Sequence, residues 1–201
     1  MENYIVINGV TYDLVARSDK GVVAAEAGTK LSDIPVGETF KLGKHEFVVL
    51  EHSKDTTAVI LKGLLFEEKK FGSSNNFDGS NVDKECQKFA GEIAGIVGAE
   101  NLIEHTVDLT SDDGLKDYGK VRRKMSLLTA ELYRRYVYIL DKFKLDKWWW
   151  LATAYSTKAH DNDRWVKCVS PSGHVNRLNY VDFSRGVRPF CILSSSIFVS
   201  K

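Results

Sequence analysis

Apolar and polar positions alternate with a period of two over much of the chain, and the period lengthens to that of a helix in two places. Tyr4-Ile5-Val6-Ile7 and Val10-Thr11-Tyr12-Asp13-Leu14-Val15 flank Asn8-Gly9, the dipeptide favoured in two-residue hairpin turns, and predict a short N-terminal β-hairpin. Residues 16–30 are mostly small or charged, which marks residues 1–30 as a hairpin with its connector and residues 31–201 as the main unit. That unit opens as a meander: Thr39 to Leu42, a Gly43-Lys44 turn, His45 to His52, a polar Ser53-Lys54-Asp55 turn, and Thr56 to Leu61. In its second strand, alternation places Phe47 and Val49 on one face with His45 and Glu51, and Val48 and Leu50 on the other with His52. The three polar groups therefore do not converge on a metal and are expected to be exposed strand ends.

The Gly-, Ser- and Asn-rich loop from Phe71 to Ser80 leads into a helix near Val82. Val82, Cys86, Phe89, Ile93, Ile96 and Val97 form one apolar stripe, and Gly98 ends it. Cys86 lies on the stripe and reads as a core thiol. Met125 to Leu128 predict a short strand, and Thr129 caps a second helix with Glu131 in its first turn. The stripe there is Leu132, Tyr136, Ile139 or Leu140, and Phe143, with Arg134 and Arg135 off it; the helix runs out near Leu145-Asp146.

Next comes Trp148-Trp149-Trp150-Leu151-Ala152-Thr153. In extended chain Trp148 and Trp150 point one way and Trp149 and Leu151 the other, so the run fits only a central strand covered on both faces. Each buried indole removes roughly 150–250 Å² from water, a gross contribution of about 4–6 kcal/mol before entropy is subtracted. Residues 154–163 are polar and turn-prone. Arg164 to Val169 then alternates, with Trp165, Lys167 and Val169 opposite Val166 and Cys168, and Ser170-Pro171-Ser172-Gly173 is a turn. His174 to Ser184 follows, and Gly186 to Leu193 predicts one closing buried strand. Pro189 forces Arg188 into extended backbone, and inside an apolar strand its guanidinium is expected to bridge backbone carbonyls or a carboxylate.

Composition narrows the function. The 201 residues, 43% hydrophobic and 11% aromatic, suffice for a buried core. With 28 Lys+Arg against 27 Asp+Glu the formal net charge is +1, so no global field recruits nucleic acid or an anionic membrane. No basic N-terminus precedes a long apolar run, and no stretch is long and apolar enough to insert in a membrane, so a soluble protein without a Sec signal is expected. Cys86, Cys168 and Cys191 are widely spaced with no C-x-x-C, consistent with buried free thiols or with a Cys168–Cys191 bridge. Asp108 to Asp117 fails as a calcium loop because Asp113 stands where the EF-hand requires glycine and no glutamate closes it; a solvated loop is expected. Neither G-x-S-x-G nor H-E-x-x-H nor a phosphate loop occurs, and no cofactor is expected.

Trp148-Trp149-Trp150-Leu151-Ala152-Thr153, Trp165-Val166 through Ser172-Gly173, and Ser184-Arg185-Gly186-Val187-Arg188-Pro189 together resemble the ending of a family of uncharacterised domains of gut Firmicutes and their phages. The meander around Leu42 to Leu50, and Asp108 to Lys120 with Leu127-Leu128-Thr129, are similar to it as well. Such endings resemble those of the C-type-lectin-like, formylglycine-generating-enzyme-like fold, which implies an α+β chain of mixed antiparallel sheets with two amphipathic helices. The same fold carries the variable proteins of diversity-generating retroelements. The resemblance therefore implies a non-enzymatic binding module, cytoplasmic or in a phage virion, that recognises a protein or cell-surface ligand. Its surface would draw on Tyr155, His160, Asn162, Arg164, His174, Asn176, Arg177, Asn179, Tyr180 and Asp182, types that combine contact area with adaptable hydrogen bonding. The alternative is that these are ordinary loop polars. Two other readings stay open: an oxidative enzyme of the formylglycine-generating class, for which Cys168 and Cys191 are the nearest copper-binding pair but lack a flanking motif, and a phage structural protein or inhibitor of a host system. True C-type lectins bind calcium and sugar through a Trp-Asn-Asp run with Glu-Pro-Asn-like ligands; this chain has only Asp161-Asn162-Asp163 before Trp165, so neither ligand is expected.

Overall fold

The computed structural model describes residues 4–7, 10–13 and 28–201, with side chains over 28–176 and 180–201. Strands β1 (Tyr4–Ile7) and β2 (Val10–Asp13) pair antiparallel with Ile7 opposite Val10, the register a two-residue turn imposes. The Asn8-Gly9 turn itself, Leu14-Val15 and the connector up to residue 27 lie outside the described residues. β3 (Thr29–Lys30) pairs with the C-terminal Phe198–Val199.

The meander forms β4 (Thr39–Leu42), β5 (His45–His52) and β6 (Thr56–Leu61), and β7 (Phe66–Lys70) follows. Helix α1 (Asn81–Val97) begins where the Ser80 side chain accepts from Asp83 N and ends at Gly98, whose φ of 87° suits a residue without Cβ. Short strands β8 (Leu102–Ile103), β9 (His105–Asp108), β10 (Lys120–Arg123) and β11 (Met125–Ser126) lead to α2 (Ala130–Leu140), capped by Thr129 through Leu132 N. The chain then makes β12 (Trp149–Ala154), β13 (Trp165–Val169), β14 (Val175–Tyr180), β15 (Ser184–Val187), β16 (Phe190–Ser194) and β17 (Phe198–Val199). The chain is therefore α+β, mostly strands in antiparallel sheets with two α-helices among the described residues.

Two sheets dominate. A six-stranded sheet runs β11-β16-β6-β5-β4 with β8 also on β16, and a five-stranded sheet runs β14-β13-β12-β15-β7. Alternation sends the residues of both sheets into two apolar clusters. Phe47, Val49, Val59, Leu61, Trp150, Ala152, Val166 and Cys168 join the first, which the buried face of α1 completes. Val48, Leu50, Ile60, Trp149, Leu151 and Val169 join the second, with Tyr133, Tyr136 and Leu140 of α2. Every residue of β12 is buried, and Trp149 and Trp150 sit on opposite sides of it, as the tryptophan run requires. β12 pairs with β13 antiparallel and β15 parallel, which makes it an interior strand.

Four sequence expectations change. The predicted closing strand over 186–193 is two strands in different sheets, β15 and β16, divided at Arg188-Pro189. Pro189 has no N–H to continue a ladder, although its carbonyl accepts from Leu61 N at 2.9 Å. Alternation along β5 breaks at a bulge between Val49 and Glu51. Glu51 consequently turns to α2, accepting from Tyr136 Oη at 2.6 Å, while His52 bonds Ile34 O and Thr57 Oγ1, and His45 bonds Glu92 of α1. Both histidines are half-buried rather than exposed strand ends. Ile96, expected on the α1 stripe, is 46% exposed although its neighbour Val97 packs against the core, and in α2 the buried positions are Ala130, Tyr133, Tyr136 and Leu140, with Leu132 at the margin.

Arg188, 1% exposed, ties the two sheets where they part. Its Nε donates to Leu61 O at 2.9 Å and Nη2 to Lys62 O at 2.8 Å, and its guanidinium lies 5.3 Å from the Trp149 ring. Burial pulls its pKa down to about 10, so the carbonyls and the indole replace water at a charged group. Gly186 permits the neighbouring approach: a Cβ there would stand 2.6 Å from Leu64 Cδ1. Among the described residues no helix is long and apolar enough to cross a membrane.

Because the two indoles fill opposite clusters, Trp149→Ala and Trp150→Ala should each lower the unfolding free energy by about 3–5 kcal/mol, and Trp148→Ala, half-buried, by roughly 1–2 kcal/mol. Urea titration checks this, and equal small losses at all three positions would contradict it.

Candidate functional site

The expected ligand surface begins where β12 leaves the core. Tyr155 is half-buried, its N–H donating to Trp165 O at 2.9 Å, and its ring lies 5.9 Å from the ammonium of Lys167. Lys167 is 6% exposed and its Nζ donates to Asp112 Oδ2 at 2.7 Å, which pairs the buried cation with a carboxylate from the acidic segment. Next to it Arg164 donates from Nη1 to Ser73 O at 2.6 Å, pairs with Asp182, and stacks its guanidinium 4.8 Å from the Tyr180 ring. Tyr180 meets Trp165 edge to face at 5.2 Å between centroids. Cation, carboxylate and two aromatic rings thus hold one another at one end of β13 and β14.

Beneath this end lies a junction of loops. Asn75, fully buried, donates from Nδ2 towards Ser156 O and Trp165 O at 3.0 Å and Asn162 O at 3.2 Å, while its Oδ1 accepts from Tyr118 Oη at 2.6 Å. Three carbonyls around one nitrogen fix the orientation of the amide. Burial raises the Tyr118 pKa and keeps the phenol neutral as a donor. Asn162 also donates its N–H to Thr157 O, and its Oδ1 is buried without a hydrogen-bond partner among the described residues.

The acidic segment is an exposed loop at Asp112 to Gly114 and at Lys116 and Asp117, as its composition suggests, but its carboxylates are engaged by other parts of the chain. Asp113 accepts from Ser111, from Ser156 Oγ at 2.6 Å and faces His160 Nδ1 at 3.1 Å, while Asp117 accepts from Thr157 Oγ1 at 2.9 Å. Burial alone would raise the Asp113 pKa, but the bonds from Ser111, Ser156 and His160 together hold it at about 2. Asp108, bonded by Lys120 and Thr110, is also held at about 2. Although Ser156, Asp113 and His160 meet, the serine donates to the carboxylate rather than to the imidazole and is 2% exposed, so the cluster fastens loops together. Among the described residues, no three His, Cys, Asp or Glu side chains gather as a metal site.

The ten expected surface residues therefore divide. Tyr155, His160, Asn162, Arg164, Tyr180 and Asp182 gather at one end of the five-stranded sheet. His174 lies at the other, beside Ser172 of the turn, and Asn176 sits opposite Cys168 in register. β14 carries the chain about 3.3 Å per residue between the two ends, so one cluster cannot include both. The side chains of Arg177 and Asn179 lie outside the described residues. Lys167, Asn75, Asp112 and Asp113 are the members that alternation and composition missed. Lys167 alone carried a signal, a lysine on the strand face of Trp165 and Val169.

All three cysteines are free and buried, and no Cys168–Cys191 bridge forms. Burial pushes each thiol well up.

A carboxylate held below its unfolded value stabilises the fold only while ionised, so the contribution of Asp108 and Asp113 is complete above about pH 4 and is lost as the pH falls towards about 2. Asp113→Asn should flatten this acid limb, measured as Tm against pH; an unchanged slope would contradict the assignment. Asn75→Asp, which puts an acceptor against three carbonyls, should cost at least as much as Asn75→Ala, about 2–4 kcal/mol, with the 156–165 loop becoming protease-sensitive. A resistant loop in both variants would argue against the junction.

Scans against protein-family models and searches of curated proteins and of solved structures return no match to this chain.

Proposed function

We propose that the chain is a non-enzymatic binding module with the C-type-lectin-like fold, related to the phage and bacterial display proteins its ending resembles. It presents the surface around Tyr155, His160, Arg164, Tyr180 and Asp182 to a protein or cell-surface ligand. The observation that carries this reading is the pairing of a fully buried strand, β12, with half-exposed aromatic and charged side chains directly beyond its end. Arg164 is stacked and ion-paired before any ligand arrives, so little side-chain entropy remains to be lost on binding. A support that does not deform and a surface already ordered are what tight, exchangeable recognition needs.

The oxidative alternative gains no support from the thiols. A copper-handling pair needs accessible thiolates, whereas Cys168 and Cys191 are fully buried with pKa values raised by burial.

Protein and glycan arrays probed with the intact chain test the binding reading. For a ligand so found, His160→Ala with Tyr180→Ala should weaken affinity by at least about tenfold, while His174→Ala at the far end leaves it unchanged. Loss with His174→Ala alone would move the site elsewhere. Among sibling gene copies, substitutions should concentrate at 155–164 and 180–182. For the thiols, a disulfide reagent should titrate none of the three cysteines until urea unfolds the chain; prompt reaction of two would revive the oxidative reading.

A further inference from the structure

α2 separates two different surfaces. Its first turn abuts the display end, where Ala130 N donates to Thr153 Oγ1 at 2.9 Å. Its far end, 11 residues and thus about 16 Å away, runs through Asp141–Phe143 into Lys144 and Leu145, which face the β4–β5 turn and the exit of β6. Between them lies an open groove of about 520 Å³. Its rim carries Lys44, Lys62, Lys142 and Lys144 with one lining acid, Glu46, while Asp141 and Glu92 adjoin the rim and leave Lys142 as its excess charge. Leu64, Phe143 and Leu145, each half-buried, supply an apolar floor.

The lysines are available for exchange. Lys62 pairs with Glu46 at 3.0 Å, Lys144 with Asp141 at 2.6 Å and Lys44 with Glu92 at 3.5 Å, with the lysine side chains 42%, 44% and 78% exposed. Ion pairs this exposed contribute little, so an incoming carboxylate can replace the existing partner at small cost. Lys142, exposed on the same rim, has no ion-pair partner among the described residues.

We propose that this groove docks an acidic peptide segment of a partner protein, its carboxylates on the four lysines and its apolar side chains on Phe143 and Leu145. The concave shape and apolar floor favour a peptide over a bilayer surface, which offers a plane of charge. Lysine point charges without arginine forks, in a chain of near-zero net charge, favour it over nucleic acid. Charge complementarity of this kind sets the association rate and the partner's sign.

A fluorescein-labelled twelve-residue peptide of alternating Glu and Leu, titrated with the full chain by anisotropy, tests it. Binding should saturate, weaken at least about tenfold between about 0.05 M and about 0.3 M salt, and fall by a similar factor in Lys142→Glu/Lys144→Glu, while a Lys-Leu peptide does not bind. Circular dichroism checks that the variant is folded, and Lys44→Glu on the opposite wall provides an independent weakening. The proposal is overturned by an acidic peptide that does not bind, by full affinity in folded variants, or by tighter binding of a single-stranded oligonucleotide or of phosphatidylserine vesicles to the same lysines.

Discussion

A strand that must be covered on both faces dictates the organisation of this molecule. Trp149 and Trp150 are adjacent in sequence and point in opposite directions, so burying both requires apolar material above and below β12 at the same residue. α1 with the first cluster supplies one side, and α2 with the second supplies the other. Neighbours are required in the plane as well, and β13 and β15 fill those places. Once β12 is interior, the chain that leaves it at Ala154 emerges at a fixed place with a fixed direction, and the loop beyond inherits that precision.

Arg188 solves a problem this arrangement creates. One stretch of chain serves β15 in the five-stranded sheet and β16 in the six-stranded one, so the backbone must leave one ladder and enter another inside the core. Pro189 interrupts the ladder and the guanidinium fills the gap, binding Leu61 O and Lys62 O and resting on Trp149. An apolar side chain of the same length would pack there but could donate to neither carbonyl. The polar junction at Asn75 plays the corresponding part at the far end of β12, tying the 71–80 loop to the carbonyls of Ser156 and Asn162 and of Trp165 at the start of β13.

Much of the fold was legible because it rests on local periodicity. The meander, both helices, the Thr129 cap, the two faces of the tryptophan strand and the carbonyl-bridging role of Arg188 all follow from spacing and side-chain type. What failed was non-local or depended on one residue of backbone geometry. The bulge after Val49 reverses Glu51 and His52, and nothing in the neighbouring sequence marks it. Asn75 looks like any other member of a Ser-Asn loop, since its importance comes from chain segments 80 to 90 residues away. The acidic segment is exposed as expected, but the partners that engage its carboxylates, Ser156, Thr157, His160 and Lys167, lie far along the chain and leave no local signal. For the expected surface residues, alternation identifies polar positions along β14 but not that its two ends are too far apart to act together.

Native-state hydrogen exchange tests the central claim, that a rigid two-sided strand supports an ordered but separable surface. The amides of β12 should exchange only through global unfolding, with the full unfolding free energy, while those of 157–164 and 181–184 exchange through smaller local openings. If β12 exchanged as fast as those loops, it would not be the fixed support on which the surface is built, and the account would be wrong.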